Sequence, residues 1–259
     1  ISGVIRDCGR NGTKAGIVIT AGFGEMGPEG KKLQTAVTAQ AKEAGMRLMG
    51  PNCQGLVSTE GASLYAHMPP QFPSAGSVGV VSQSGNLATA FITAGEAAGI
   101  GFSRIISSGN EADLKTTDFL EALAADPATE VILSYLEGVR DGRAFIAKAR
   151  EASRKKPFLI VKAGQTEAGV RAAFSHTGAL SGSDDLFRAF FSQAGVIRAE
   201  TIEEAIDISS ALISQPLPKG RRVGLVTLGG GWGVLAADYC AKAGLVVEEL
   251  SPGMIGALN

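Results

Sequence analysis

One unit recurs along the chain: a short β-branched run enters a glycine- or serine-rich turn and gives way to a stretch of helix formers. Residues 15–20 (AGIVIT) run into Ala21-Gly22-Phe23-Gly24, and a helix is predicted over 29–44, closed by Gly45. A further strand starts at 46–49 and meets Gly50-Pro51-Asn52-Cys53. Residues 77–81 (SVGVV) lead through a Ser/Gly turn to an alanine-rich helix over 87–98. Strands over 104–107, 130–135 and 157–162 then alternate with helices over 117–125 and 143–153. Helices over 184–194 and 202–213 follow the glycine-rich stretch 163–182. Such alternation demands parallel strands joined by crossover helices, so the fold class is α/β.

Prolines punctuate the pattern. Pro69, Pro70 and Pro73 stiffen one connector, and Pro216-Leu217-Pro218 marks a second. The boundaries divide the chain into 1–72, 73–215 and 216–259. The last segment opens at Arg221 with a VGLVT strand, a GGGWG turn, a helix to Ala243 and an LVVEEL strand. That is too little for a finished sheet, so both ends read as truncated.

Composition narrows the partners. A net charge of −1 and no long run of Lys or Arg argue against nucleic acid or an anionic membrane as the main partner. Cys8, Cys53 and Cys240 have neither disulfide-framework nor zinc spacing, so no metal site is expected and a reducing cytoplasm is the expected compartment. No stretch approaches the ~20 apolar residues that a membrane helix needs.

Chemistry concentrates in a few places. The two histidines keep different company: His67 is read as part of the proline-rich connector, and His176 lies in Ser175-His176-Thr177-Gly178-Ala179-Leu180, inside a glycine-rich loop. A neutral loop imidazole has a free lone pair and can carry a phosphoryl group. Val80-Val81-Ser82-Gln83-Ser84-Gly85-Asn86 and Thr227-Leu228-Gly229-Gly230-Gly231-Trp232-Gly233 are both strand-to-helix turns. The free amides of such helix starts can receive an anion, although tight packing explains either turn alone equally well.

Taken in order, SQSGN after a strand, Glu137 in Tyr135-Leu136-Glu137-Gly138, SHTGAL in a glycine-rich loop and GGGWGVLAAD make the chain similar to ADP-forming acyl-CoA synthetases of the succinyl-CoA synthetase superfamily. The resemblance spans almost the whole chain from about Gly16. It implies the end of a Rossmann-like CoA-binding domain in 1–72, a flavodoxin-like CoA-ligase domain in 73–215 and the incomplete start of a second flavodoxin-like domain in 216–259. These would be consecutive three-layer units. The implied reaction interconverts acyl-CoA, ADP and phosphate with a carboxylic acid, CoA and ATP. His176 would carry the phosphoryl group, and Glu137 would steady its ring. Ser84, Gly85 and Asn86 would supply one set of phosphate donors, and Gly230, Gly231 and Gly233 the other. Gly22, Phe23, Asn52, Cys53, Ser108, Gly109 and Asn110 would lie near CoA or the acyl group. ATP or ADP with Mg²⁺ would bind an ATP-grasp domain or subunit outside this sequence, in an oligomer. The earlier glycine loop that holds the CoA phosphates in that family has no counterpart before Ala15.

Two rival readings remain. Ser84, Glu137 and His176 follow the chain order of an α/β-hydrolase triad, but Ser82-Gln83-Ser84-Gly85 lacks the glycine two residues before the serine. A non-catalytic CoA-binding or regulatory module, or the ligase-like part of an acetyltransferase, would not require His176.

Overall fold

A computed structural model describes residues 1–259 except 62, 170, 172–183 and 259, and the side chain of 258. His176 therefore lies outside the described residues. Two compact units emerge, Ile1–Ser214 and Gln215–Asn259.

The first unit opens with helix α1 (Ser2–Arg10), strand β1 (Ala15–Ile17), a 3₁₀ turn (Gly24–Met26), helix α2 (Pro28–Glu43) and strand β2 (Arg47–Met49). β1 and β2 pair in parallel, Ala15 with Arg47 and Ile17 with Met49. Pro28 starts α2, where its missing N–H costs no hydrogen bond. Ile5, Phe23, Val37, Ala41, Met46 and Leu48 form the core of this segment. α1 lacks an early apolar run, and sequence reading passed over it.

A seven-stranded sheet follows, built from β3 (Gly55–Ser58), β4 (Leu64–His67), β5 (Ala75–Ser82), β6 (Phe102–Ser107), β7 (Val131–Leu136), β8 (Phe158–Lys162) and β9 (Ile197–Ala199). The order is β4-β3-β6-β5-β7-β8-β9. The five strands from β6 to β9 are mutually parallel, in the flavodoxin order 2-1-3-4-5. β3 and β4 extend the edge as an antiparallel hairpin. This hairpin comes from the stretch before the proline connector, so the segment 55–67 contributes to the sheet of the segment that follows it.

Successive strand residues point to opposite faces, which explains why the central strands read as unbroken apolar runs. Val78, Val80, Ile105, Leu133 and Leu159 pack on helices α3 (Gly85–Ala97) and α7 (Ile202–Ser214). Val81, Ile106, Ile132, Phe158 and Ile160 pack on α4 (Thr116–Ala125), α5 (Gly142–Ser153) and α6 (Asp184–Ala194). Helices thus cover both faces, and the carboxyl ends of the five parallel strands all lie along one edge of this sheet.

The second unit is one βαβ element, β10 (Arg222–Val223), helix α8 (Gly230–Lys242) and β11 (Val246–Val247), followed by helix α9 (Pro252–Leu258). β10 and β11 pair only with each other among the described residues, and the two strands are shorter than VGLVT and LVVEEL suggest. No helix among the described residues is long and apolar enough to cross a membrane.

Candidate active site

Strand order reverses between β5 and β7, and in open α/β sheets ligands bind beyond the carboxyl ends of the strands at such a switch point. Backbone pairing of the two strands ends at Ser82 and Tyr135, with Gln83 N–H still reaching Tyr135 O at 3.2 Å. The Gln83 side chain then takes over. Its Oε1 accepts from Glu137 N at 2.7 Å and Gly138 N at 3.2 Å, while its Nε2 donates to Gly138 O at 3.0 Å. Glu137 is thereby fastened to the turn that precedes Ser84. From the other neighbouring strand, Lys162 Nζ donates to Glu137 O at 3.0 Å.

Ser84 is the N-cap of α3, its hydroxyl accepting from Leu87 N at 3.4 Å. Ser82 Oγ donates to Ser84 O at 2.6 Å and tightens the turn. Gln54, at the foot of the hairpin, occupies the space a side chain at Gly85 would need, since a Cβ there would lie 2.4 Å from Gln54 Cγ. The same Gln54 donates to Asn86 Oδ1 at 2.9 Å and accepts from Thr89 Oγ1 at 2.9 Å. Glycine at 85 therefore answers to packing, and the Ser84 hydroxyl serves a cap.

A cleft of about 820 Å³ lies beside this turn, with Glu25, Gln34, Asn52, Asn110, Glu137 and Arg140 in its walls. Of the positions assigned to CoA or the acyl group, Asn52, Gly109 and Asn110 line it, whereas Gly22, Phe23, Cys53 and Ser108 do not. Asn110 Nδ2 donates to Glu25 Oε2 and, at 3.1 Å, to Gln34 Oε1. Its Oδ1 accepts from Asn52 Nδ2 at 3.2 Å, and its carbonyl accepts from Arg140 at 3.2 Å. Gly109 has φ +60, and a Cβ there would stand 2.3 Å from Pro51 O, so only glycine fits. Ser108 is fully buried and donates to Glu111 Oε1 at 2.9 Å.

The amides of Gly22 and Phe23 donate to the Glu25 carboxylate, and the Phe23 ring belongs to the core. Burial pushes the Glu25 carboxyl up, but hydrogen bonds from Asn110 and these amides outweigh it and hold its pKa below the usual carboxylate range. Cys53 is buried, donates to Val18 O at 3.5 Å, and burial pushes its thiol pKa up to about 11. It is a neutral packing residue at physiological pH.

In the second unit, Gly229 caps α8 and Thr227 Oγ1 braces the turn, accepting from Gly229 N at 3.0 Å. A Cβ on Gly230 or Gly231 would meet nothing within 4 Å, and one on Gly233 would touch Thr227 Cγ2 at 3.3 Å. Packing against described residues does not require glycine at 230 or 231. No cluster of three metal-ligating side chains occurs among the described residues.

Sequence reasoning overlooked Gln83, although it sits inside a motif that was singled out, and Gln54, Glu25, Arg140 and Lys162. Lys162 alone carried a signal, a charge ending the apolar run Phe158–Lys162.

The Succinyl-CoA ligase like flavodoxin domain matches residues 75–212. The chain is 45% identical over 93% of its length to the alpha subunit of an ADP-forming acetate–CoA ligase I from Pyrococcus furiosus, covering 52% of that protein. An ADP-forming 4-hydroxybutyrate–CoA ligase from Nitrosopumilus maritimus is 37% identical over 97% of the chain, which covers 36% of it. Among solved structures, an acetyl-coenzyme A synthetase from Ca. Korarchaeum cryptofilum, in complex with phosphate and ADP, superposes with a TM-score of 0.91 at 40% identity, covering 98% of this chain and 55% of that one. The chain spans about half the length, or less, of the relatives it matches. Sheet order, motifs and matched domain agree: the chain belongs to the succinyl-CoA synthetase superfamily, through its succinyl-CoA-ligase-like flavodoxin domain.

Proposed function

We propose that this chain is the CoA- and phosphohistidine-bearing part of an ADP-forming acyl-CoA ligase. One observation carries the reading: at the switch point of a flavodoxin-like sheet, Glu137 is hydrogen-bonded to the turn that opens α3, beside a cleft of thioester-sized volume. Similarity to ligases of acetate and 4-hydroxybutyrate supports the reaction type.

In this reading phosphate attacks the thioester carbonyl and the CoA thiolate leaves, giving an acyl phosphate. The His176 imidazole then attacks phosphorus and the carboxylic acid departs. The phosphohistidine passes its phosphoryl group to ADP, which becomes ATP. Glu137 accepts a hydrogen bond from the ring and stabilises its positive charge. The helix starts at Ser84, Gly85 and Asn86 and at Gly230, Gly231 and Gly233 direct fixed dipoles at the travelling phosphoryl group, with no competing nucleophile. Gly22, Phe23, Asn52, Cys53, Ser108, Gly109 and Asn110 frame the thioester end of CoA, Cys53 by packing alone.

Nucleotide and Mg²⁺ belong to an ATP-grasp domain or subunit that completes the enzyme as an oligomer. We further propose that 1–72, apart from the 55–67 hairpin, ends a CoA-binding domain, that 73–215 together with that hairpin is the CoA-ligase domain and that 216–259 starts a second ligase domain, in a reducing cytoplasm. Incubating the complete enzyme with γ-labelled ATP and Mg²⁺ tests the proposal. Acid-labile, base-stable label on His176 supports it, and fluorophosphonate labelling of Ser84 would support a hydrolase instead.

A further inference from the structure

We propose that Lys162 is a positioning residue of the phosphoryl-transfer site, its ammonium tying the carbonyl of Glu137 to the first carbonyl of the segment that carries His176. The inference rests on the reading above and concerns a residue to which no role is assigned there.

Lys162 is 2% exposed at the end of a strand whose other residues are Phe, Leu, Ile and Val. A buried ammonium is costly unless its surroundings compensate it. Here the compensation is specific. Nζ donates to Glu137 O at 3.0 Å and to Ala163 O, and it stands 4.6 Å from the centroid of the Phe187 ring. Among the described residues, Glu137 from the end of β7, Asp184 from α6 and Arg198 from β9 are among the charges that face it.

The geometry around Glu137 gives those bonds a purpose. The ladder between β5 and β7 ends at Tyr135, and that between β7 and β8 ends at Leu136. One residue further on, side chains from both flanking strands replace it: Gln83 holds the N–H of Glu137, and Lys162 holds its C=O. These atoms belong to the two peptide groups on either side of the Glu137 Cα. Fixing both peptides fixes φ and ψ, and with them the direction in which the carboxylate leaves the backbone. Because Lys162 also holds Ala163 O, it sets the starting point of residues 163–183 relative to that carboxylate.

Charge strengthens the tie, since an ammonium binds a carbonyl more tightly than an amine does. Burial lowers the Lys162 pKa to about 8, Asp184 and Glu137 opposing that shift and Arg198 adding to it. Positioning therefore weakens as pH rises through about 8. Stability moves the other way: between the folded pKa and the ordinary lysine value near 10.5, the unfolded chain binds the extra proton, so Lys162 adds to stability as pH rises. A merely structural lysine would not produce an alkaline loss of chemistry without loss of fold.

The test is single-turnover phosphorylation of His176 by labelled ATP in the complete enzyme from pH 6 to 10. It compares wild type, Lys162→Met and Lys162→Arg, with a thermal melt at each pH. Wild type should show an alkaline limb near pH 8 without a matching loss of the folded state. Lys162→Met should label roughly 10- to 100-fold more slowly at pH 7, as expected for a small misplacement, and lack that limb. Lys162→Arg keeps its charge and should move the limb upward, a result that decides the matter even if Lys162→Met does not fold. A wild-type rate and pH profile in Lys162→Met, or an unmoved limb in Lys162→Arg, overturns the inference. Absence of label from wild-type His176 at every pH overturns the phosphohistidine reading itself, and the role of Lys162 falls with it.

Discussion

The Asn110 amide donates to the Glu25 carboxylate across 85 positions of sequence, joining the loop after β6 to the turn before α2 at the cleft wall. Asn110→Asp should set two carboxylates against each other and release Glu25 from the Gly22 and Phe23 amides. The expected result is an increased Km for acyl-CoA with little change in the rate of His176 phosphorylation by ATP, measured on the complete enzyme. An unaltered Km would remove the pair from the binding site.

The same pair predicts an acid limit. With its pKa below the model-compound value of 4.5, Glu25 adds stability that is fully present above that value and is lost as pH falls through its folded-state pKa. Glu25→Gln should flatten the acid side of the melting-temperature profile below about pH 4.5. A profile that keeps the wild-type slope there would assign the acid sensitivity to other groups.

Gln83→Leu removes the acceptor of the partly buried Glu137 and Gly138 amides, a combined cost of about 1–3 kcal/mol. The melting temperature of the first unit should fall by several degrees. Phosphorylation of His176 should slow beyond what the unfolded fraction explains. Equal loss of fold and activity would make the clamp purely structural.

Gly109→Ala meets two obstacles, the φ of +60 and a Cβ 2.3 Å from Pro51 O. A loss of about 1–3 kcal/mol in stability is expected, together with weaker CoA binding by calorimetry. Cys53, with its thiol pKa near 11, should react with alkylating reagents more slowly at pH 8 than the half-buried Cys8 and Cys240, as peptide mapping of the modified chain would show.

Much of the fold was legible because its signals are local. The β-branched runs of β5, β7 and β8 and the alanine-rich α3 declare themselves residue by residue, and helix boundaries fell within a residue or two of Gly85–Ala97, Thr116–Ala125 and Gly142–Ser153. The β3–β4 hairpin was not legible. Its strands are four residues long, the first opens on Gly55 and the second stops just short of Pro69, and pairing of β3 with β6 and of β4 with β3 is what makes them strands. The site divides in the same way. Glu137 and the SQSGN turn stand out by motif, whereas Gln83 and Lys162 act on Glu137 from strands 54 and 25 positions away, contacts that no local pattern encodes.

The most direct measurement follows the γ-phosphate of labelled ATP in the complete enzyme, wild type against His176→Asn. The account predicts acid-labile, base-stable label that maps to the 175–180 peptide in the wild type, is discharged by ADP, and is missing from a variant with an unchanged melting temperature. Acyl-CoA-dependent ATP formation at the wild-type rate in His176→Asn would contradict it.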